Sequence, residues 1–395
     1  MNDRQLFLRH VAQTSQAPLL LEVARASGCF LYTPDGKQYL DLISGIGVSN
    51  VGHCAPEVVA AVQQQAAQYM HTMVYGEFVL TPQVELAALL AQQLGPGLDN
   101  VYFVNSGSEA VEGGLKLAKK ATGRQEIIAF HHSYHGSTHG ALSVTGAPVL
   151  KEGYGPFLPG VSFHGFGTQA AVDAVSHSTA AVIVEPVQGE AGARVAEAGW
   201  LRALRDRCDE TGAKLIFDEI QTGFGRTGNL FAWQGFQVRP DILLMAKGMG
   251  GGMPIGAFVA SREVMQTLTH DPVLGHITTF GGHPVSCAAS LAGLRKILAE
   301  NLAGAVPRLE EIIRTELQSS RGVLELRGKG LLYAVELGSF EKILAVIARG
   351  LERGVLTDWF LHCNTALRIA PPLVISEDEL RSGLRILADC IAAES

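Results

Sequence analysis

A chain of 395 residues, 47% hydrophobic and 17% charged, has the composition of an ordinary globular protein. That length allows two or three domains and a core that takes roughly 75% of the unfolded surface out of water. A net charge of −7, with no dense Lys/Arg run, argues against nucleic acid as a partner. Six scattered cysteines without a Cys-x-x-Cys pair argue against zinc and for the reduced thiols of the cytoplasm. No apolar run approaches the ~20 residues that span a bilayer, and Met1 to Leu6 lacks a signal-peptide core.

In chain order, Val11 to Leu21 includes Pro18 and reads as an irregular arm. Gly28 to Asp41 holds two alternating runs about Pro34-Asp35-Gly36, a hairpin pattern. Pro56 to Tyr69 and Thr81 to Gln93 carry apolar residues at helical spacing, and Pro82 suits a first turn. Val101 to Val104 is a short strand that runs into Asn105-Ser106-Gly107-Ser108-Glu109. A strand, a turn of small residues and a helix start form an anion cradle, because the first N–H groups of a helix lack internal acceptors and the dipole is positive there. Ser106 and Ser108 add hydroxyl donors, and Gly107 allows close approach. As a bare pattern this is a helix cap as often as a ligand site.

After the strand Glu126 to Phe130, His131 and His135 stand four apart and invite a metal reading. Gly136 and the lack of a nearby carboxylate weaken it, and metal is a poor second. Ala180 to Val184 is a buried strand that ends in Glu185, with Glu190 just beyond, and two glutamates so placed could be a general acid/base pair. Trp200 to Thr211 is a helix stopped by Gly212.

Two apolar runs then frame the centre of the chain. Lys214 to Phe217 reads as a buried strand ending on Asp218, and Asp241 to Ala246 delivers Lys247 into Gly248-Met249-Gly250-Gly251-Gly252. As parallel neighbours they set an acid and an amine together at their carboxyl ends, where open α/β sheets bind ligands. An Asp that can hold a ring nitrogen protonated, beside a Lys that can form a Schiff base, is what pyridoxal phosphate requires. Taken alone, such a pair is structural more often than catalytic. Pro284 starts a further helix. Leu331 to Val335 and Ala366 to Ala370 are apolar runs among helical stretches, a smaller α+β unit.

The flanking residues reverse those odds. Asp218-Glu219-Ile220-Gln221-Thr222-Gly223-Phe224-Gly225-Arg226-Thr227-Gly228 strongly resembles the aspartate motif of the class III (ornithine/acetylornithine/4-aminobutyrate) aminotransferases. Pro240-Asp241-Ile242, Lys247-Gly248 and the glycine run resemble that family's lysine motif at its usual distance. Gly52-His53-Cys54-Ala55-Pro56-Glu57, Ser106-Gly107-Ser108-Glu109-Ala110, Thr278-Thr279-Phe280-Gly281-Gly282-His283-Pro284 and Leu367-Arg368-Ile369-Ala370-Pro371-Pro372 extend the resemblance over nearly the whole chain.

The resemblance implies an α/β fold of type I among pyridoxal-phosphate enzymes. It comprises an N-terminal segment 1–55 packing with the small domain, a large cofactor-binding domain 56–285 with a mostly parallel sheet, and a small C-terminal domain 286–395. It implies that Lys247 carries the cofactor and moves the proton, while Asp218 holds the ring nitrogen and Gln221 meets the phenolic oxygen. Tyr134 stacks on the ring, Ser106, Gly107 and Ser108 hold the phosphate, and Glu185 belongs to the cofactor's hydrogen-bond network. Glu190 pairs with Arg368, the clamp for a substrate carboxylate. Thr279 reaches the phosphate of a second subunit, so a homodimer with shared active sites is expected. His53 and His135 read as structural supports. Where relatives commonly carry Arg after His-Gly, this chain has Ser137, which bears on the donor. The expected reaction moves an ω-amino group from acetylornithine, ornithine or 4-aminobutyrate to a 2-oxo acid such as 2-oxoglutarate. An amine:pyruvate transaminase, an aminomutase or a decarboxylase are alternatives on the same parts, with a non-catalytic scaffold behind them.

Overall fold

The computed structural model describes residues 2–394. Its centre is a seven-stranded sheet in the order 100–104, 256–260, 242–245, 214–218, 179–184, 126–130, 161–164. All strands run parallel except Gly256–Ala260, which is antiparallel to both neighbours. Strands covered on both faces must be apolar throughout. Thr179–Val184 and Ile242–Met245 are buried at every position.

Side-chain alternation divides those residues between two cores. Val182, Val184, Leu215, Phe217, Leu243 and Met245 join the large cluster on one face, while Ala181, Ile183, Ile216, Ile242 and Leu244 join a smaller cluster on the other. The helix Gly107–Thr122 covers the smaller cluster at very close range. A Cβ at Gly113 would lie 2.2 Å from the Phe258 ring, and one at Gly114 would lie 2.7 Å from Leu244. The helix Ala198–Thr211 covers the opposite face with Leu201, Leu204 and Cys208, and Gly212 ends it in the left-handed conformation.

A second, antiparallel sheet orders Glu325–Lys329, Leu332–Glu336, Cys363–Ile369 and Trp359–Phe360. The helices Leu302–Leu317, Phe340–Glu352 and Glu377–Ala393 accompany it in sequence. The N-terminal strands Arg25–Ser27, Phe30–Tyr32 and Gln38–Asp41 form a third sheet, completed by Val355–Leu356 lying parallel to Gln38–Asp41. The beginning of the chain is thereby hydrogen-bonded to its C-terminal third. Arg226 strengthens the junction. It is buried and donates to the carbonyls of Leu331 (3.0 Å) and Pro371 and to Asn50 Oδ1.

Several elements carried no periodic signal. Asp3–His10 is a helix with no buried residue, started by a capping box between Asn2 and Gln5. Gly256–Ala260 is short and follows a glycine-rich turn, yet it is fully buried because it fills the gap between Ile242–Met245 and Asn100–Val104. No helix among the described residues is long and apolar enough to cross a membrane.

Candidate active site

The carboxyl ends of the parallel strands open onto a cavity of about 450 Å³. Asp218 terminates the strand Lys214–Asp218, and Lys247 follows the adjacent parallel strand Ile242–Met245 by two residues, so the pairing brings both to one edge. Ser106, Gly107, Ser108, Tyr134, Glu185 and Gln221 line the same cavity. Val48, Met253, Pro254 and Ile255 supply apolar wall that the motifs did not indicate.

Asp218 is nearly inaccessible and its two oxygens are engaged. Oδ1 accepts the Ile220 N–H at 3.0 Å, and Oδ2 lies 2.7 Å from His135 Nδ1, which donates to it. His135 thus reaches the Asp218 carboxylate from its loop, a contact that the sequence reading of a structural support did not include. Its signal was adjacency to Tyr134, on a loop that must lie over the end of the Asp218 strand. His131, by contrast, is exposed, while His135 is buried against Asp218. Glu219, also passed over, is fully buried. Its carboxylate accepts the N–H groups of Ala232 and Trp233 at 2.5 and 2.8 Å, and burial raises its pKa to about 7 against those bonds.

The Lys247 side-chain amine has no hydrogen bond or ion pair among the described residues, and the residue sits at φ +48° at the start of the short helix Lys247–Gly250. Burial is the largest influence on its amine and lowers the pKa; Arg368 acts in the same direction, while Glu190, Asp218 and Glu185 oppose. The neutral amine, a nucleophile and a base, is thereby favoured. Glu185 accepts the N–H groups of Tyr134 (3.1 Å) and Gly189 (3.2 Å). Burial, then Asp218, push its carboxyl well above the usual range.

At the other end of the cavity Ser106 caps the helix Gly107–Thr122 through the Glu109 N–H, 3.2 Å from Oγ. The N–H groups of Gly107 and Ser108 find no acceptor among the described residues. Gly136 passes close by at φ +126°, and a Cβ there would lie 2.1 Å from Ser108 Oγ, so only glycine fits. A helix start with free donors at one end, a buried carboxylate at the other and an uncommitted amine between them suit one ligand. It carries an anionic group, a protonated ring atom and a carbonyl. Pyridoxal phosphate meets that description.

Glu190 and Arg368 lie one hydrogen bond behind the cavity wall. Gln221 Nε2 donates to Glu190 Oε1 at 2.6 Å, and the Arg368 fork donates to both Glu190 oxygens at 3.1 and 2.8 Å. Burial opposes ionisation of Glu190, yet Arg368, joined by Lys247 and the Leu361 N–H, lowers the pKa to about 2. Ser137 is exposed. Its N–H donates to Ser108 Oγ at 3.3 Å and its hydroxyl lies 3.4 Å from the Tyr134 hydroxyl. Thr279 is exposed outside the cavity, and the chain brings it to none of the other site residues.

The class-III aminotransferase family model matches residues 11–391. The acetylornithine aminotransferase of Methanopyrus kandleri is 42% identical over the full length of both chains. That of Methanosarcina mazei is 41% identical, covering 96% of this chain and 93% of its own. Among solved structures, the ornithine aminotransferase of Toxoplasma gondii superposes with a TM-score of 0.91 at 30% identity, over 100% of this chain and 96% of that one. An (S)-enantioselective omega-transaminase from Thermomicrobium roseum gives 0.87 at 30% identity, over 98% and 96%. With the family motifs folded into one cavity and the match running the length of the chain, the protein belongs to the class-III aminotransferases and is a transaminase.

Proposed function

We propose that the protein binds pyridoxal 5'-phosphate in this cavity and moves an ω-amino group from an acetylornithine-, ornithine- or 4-aminobutyrate-type donor to 2-oxoglutarate. The observation that carries the reading is the placement of Asp218 and Lys247 at the carboxyl ends of adjacent parallel strands, in one cavity with a helix start that has unsatisfied donors. When bound, the cofactor supplies a carbonyl carbon to take the amino group and a ring to draw electron density from the substrate carbon. Ser106, Gly107 and Ser108 hold the phosphate. Asp218, fixed by His135 and Ile220, keeps a proton on the ring nitrogen. Gln221 meets the phenolic oxygen and Tyr134 covers the ring. Glu185 holds the Tyr134 loop in place. Lys247 Nζ, shifted toward its neutral form by burial, carries the cofactor and then moves the proton on the substrate carbon.

Arg368 receives the carboxylate of the 2-oxo acid when Glu190 releases it. With an amine donor that lacks a carboxylate there, Glu190 keeps the charge paired. Names of relatives favour acetylornithine as donor. Ser137 favours a second reading, because a hydroxyl cannot replace a bidentate cation for a distal carboxylate. A less acidic amine donor, with pyruvate as acceptor, follows from it.

We further propose division into 1–55, 56–285 and 286–395, supported by the pairing of Gln38–Asp41 with Val355–Leu356, and a cytoplasmic location, supported by six free cysteines. A homodimer with Thr279 contributed across the interface is proposed from the apolar side chains exposed on its own segment and on the segment that shares a groove with Thr278. These include Phe78, Val79, Val273, Leu274, Ile277 and Phe280.

The test is a single-turnover assay with N-acetylornithine, ornithine, 4-aminobutyrate and a simple diamine, followed by the loss of the cofactor's visible absorbance. Conversion by at least one donor, abolished in Lys247→Ala, is expected. A Lys247→Ala protein that turns over at the wild-type rate would falsify the assignment.

A further inference from the structure

Arg368 meets two carboxylates. Its Nη edge is forked onto Glu190, while its Nε lies 3.0 Å from Asp358 Oδ1, an ion-pair contact without the alignment of a hydrogen bond. Two further contacts fix the same guanidinium. Nη2 donates to the Trp359 carbonyl at 3.3 Å, and Cζ sits 4.3 Å from the centre of the Phe360 ring. The backbone closes the arrangement, since the Arg368 N–H donates to the Asp358 carbonyl at 2.8 Å. The same segment also holds the other member of the pair. Leu361 N–H donates to Glu190 Oε2 at 3.1 Å and His362 N–H to the Glu190 carbonyl at 3.0 Å. Five consecutive residues, Asp358 to His362, therefore cradle both charges.

Arg368 and Glu190 are almost fully buried, whereas a quarter of the Asp358 side chain is exposed. A buried guanidinium stripped of its only counter-ion is costly, and a long side chain with one anchor follows that anchor. We propose that Asp358 is a positioning residue for carboxylate recognition, holding Arg368 in place and charge-balanced while Glu190 is exchanged for the substrate carboxylate. This rests on the reading of Arg368 as the carboxylate site. With Asp358 on Nε and Phe360 under the plane, the Nη fork is the part free to change partners. The arginine stays while the glutamate leaves. Burial raises the Asp358 carboxyl to about 6, partly offset by Arg368, so the charge that balances Arg368 is present at neutral pH.

The experiment compares wild type, Asp358→Ala, Arg368→Ala and the double variant as holoenzymes. It measures the KM for 2-oxoglutarate, the Kd of the unreactive dicarboxylate glutarate by calorimetry, and the rate of the amine half-reaction. Asp358→Ala should raise the KM and the glutarate Kd at least tenfold, with a several-fold smaller effect on the amine half-reaction. In the Arg368→Ala background it should add less than twofold. If Asp358→Ala does not fold, Asp358→Asn carries the same test, with at least a threefold rise expected. Dicarboxylate affinity within twofold of wild type, or equal losses in both half-reactions, overturns the role of Asp358. If Arg368→Ala itself leaves dicarboxylate affinity unchanged, the reading of the carboxylate site falls instead.

Discussion

Among the described residues, His135 makes the one side-chain hydrogen bond that Asp218 receives, at 2.7 Å in a buried setting. A hydrogen bond to a charged group is worth about 1.5–3 kcal/mol, roughly ten- to hundredfold in rate if it is needed at the transition state. His135→Ala is expected to lower kcat by that factor at saturating cofactor, with KM for the donor changed less than threefold. Steady-state kinetics read this directly, and an unaltered kcat would return His135 to loop support. Glu190 offers a stability test. Its folded pKa of about 2 lies below the ordinary 4.5, so it contributes stability that is present above pH 4.5 and lost as pH falls through 2. The difference corresponds to about 3 kcal/mol as an order of magnitude. Glu190→Gln should therefore be less stable than wild type at pH 7, and the gap should close between pH 4.5 and 2. Urea unfolding across that range checks it, and parallel curves would show that the ion pair adds nothing.

At the scale of elements, the helix Gly107–Thr122 must lie close enough to the sheet to point its N-terminus into the cavity. Gly113 and Gly114 permit that approach. Replacing a helix-interior glycine by alanine ordinarily stabilises by about 1 kcal/mol. At Gly113 the added Cβ would lie 2.2 Å from Phe258, a ring in a packed core, and overpacking costs about 1–3 kcal/mol. The clash outweighs propensity. Gly113→Ala should lower unfolding stability by about 1–2 kcal/mol, whereas Gly199→Ala, with nothing within 4 Å of its Cβ, should be neutral or stabilising. Denaturant midpoints of the two variants should move apart, and a stabilised Gly113→Ala would mean that the sheet yields at little cost. The Asp218–Gly228 motif works at this scale too. Asp218 and Gln221 line the cavity while Arg226, eight residues on, ties the motif to Leu331 and Pro371, three residues beyond Arg368.

The whole molecule exposes an apolar band from two segments far apart in sequence. Val79 is 90% and Val273 is 72% accessible, and both line one groove with Phe78, Leu274, Ile277 and Thr278, the residue before Thr279. Isolated exposed apolar side chains are ordinary, but a contiguous set marks an interaction surface. Light scattering is expected to give a dimer at assay concentration. Val79→Asp should shift it toward monomer and raise the cofactor concentration needed for full activity. Monomeric wild-type protein with full activity would remove both the dimer and the role of Thr279.

The strands that build the site were legible in the sequence because continuous apolar runs end at charged or glycine residues. The runs at Lys214, Ala180 and Glu126 became strands within a residue or so of their expected limits. Asp218, Lys247 and the serine–glycine turn were legible for the same reason, since each stands where a strand must stop. Tertiary structure alone decided which side chains meet. The ring of His135 reaches Asp218 across 83 positions, Asp358 meets Arg368 from just before the short strand Trp359–Phe360, and Gly256–Ala260 inserts antiparallel between two strands of the main sheet. Periodicity records how one segment meets solvent and core. A single polar residue leaves no such period, and its partner is set by how the layers close.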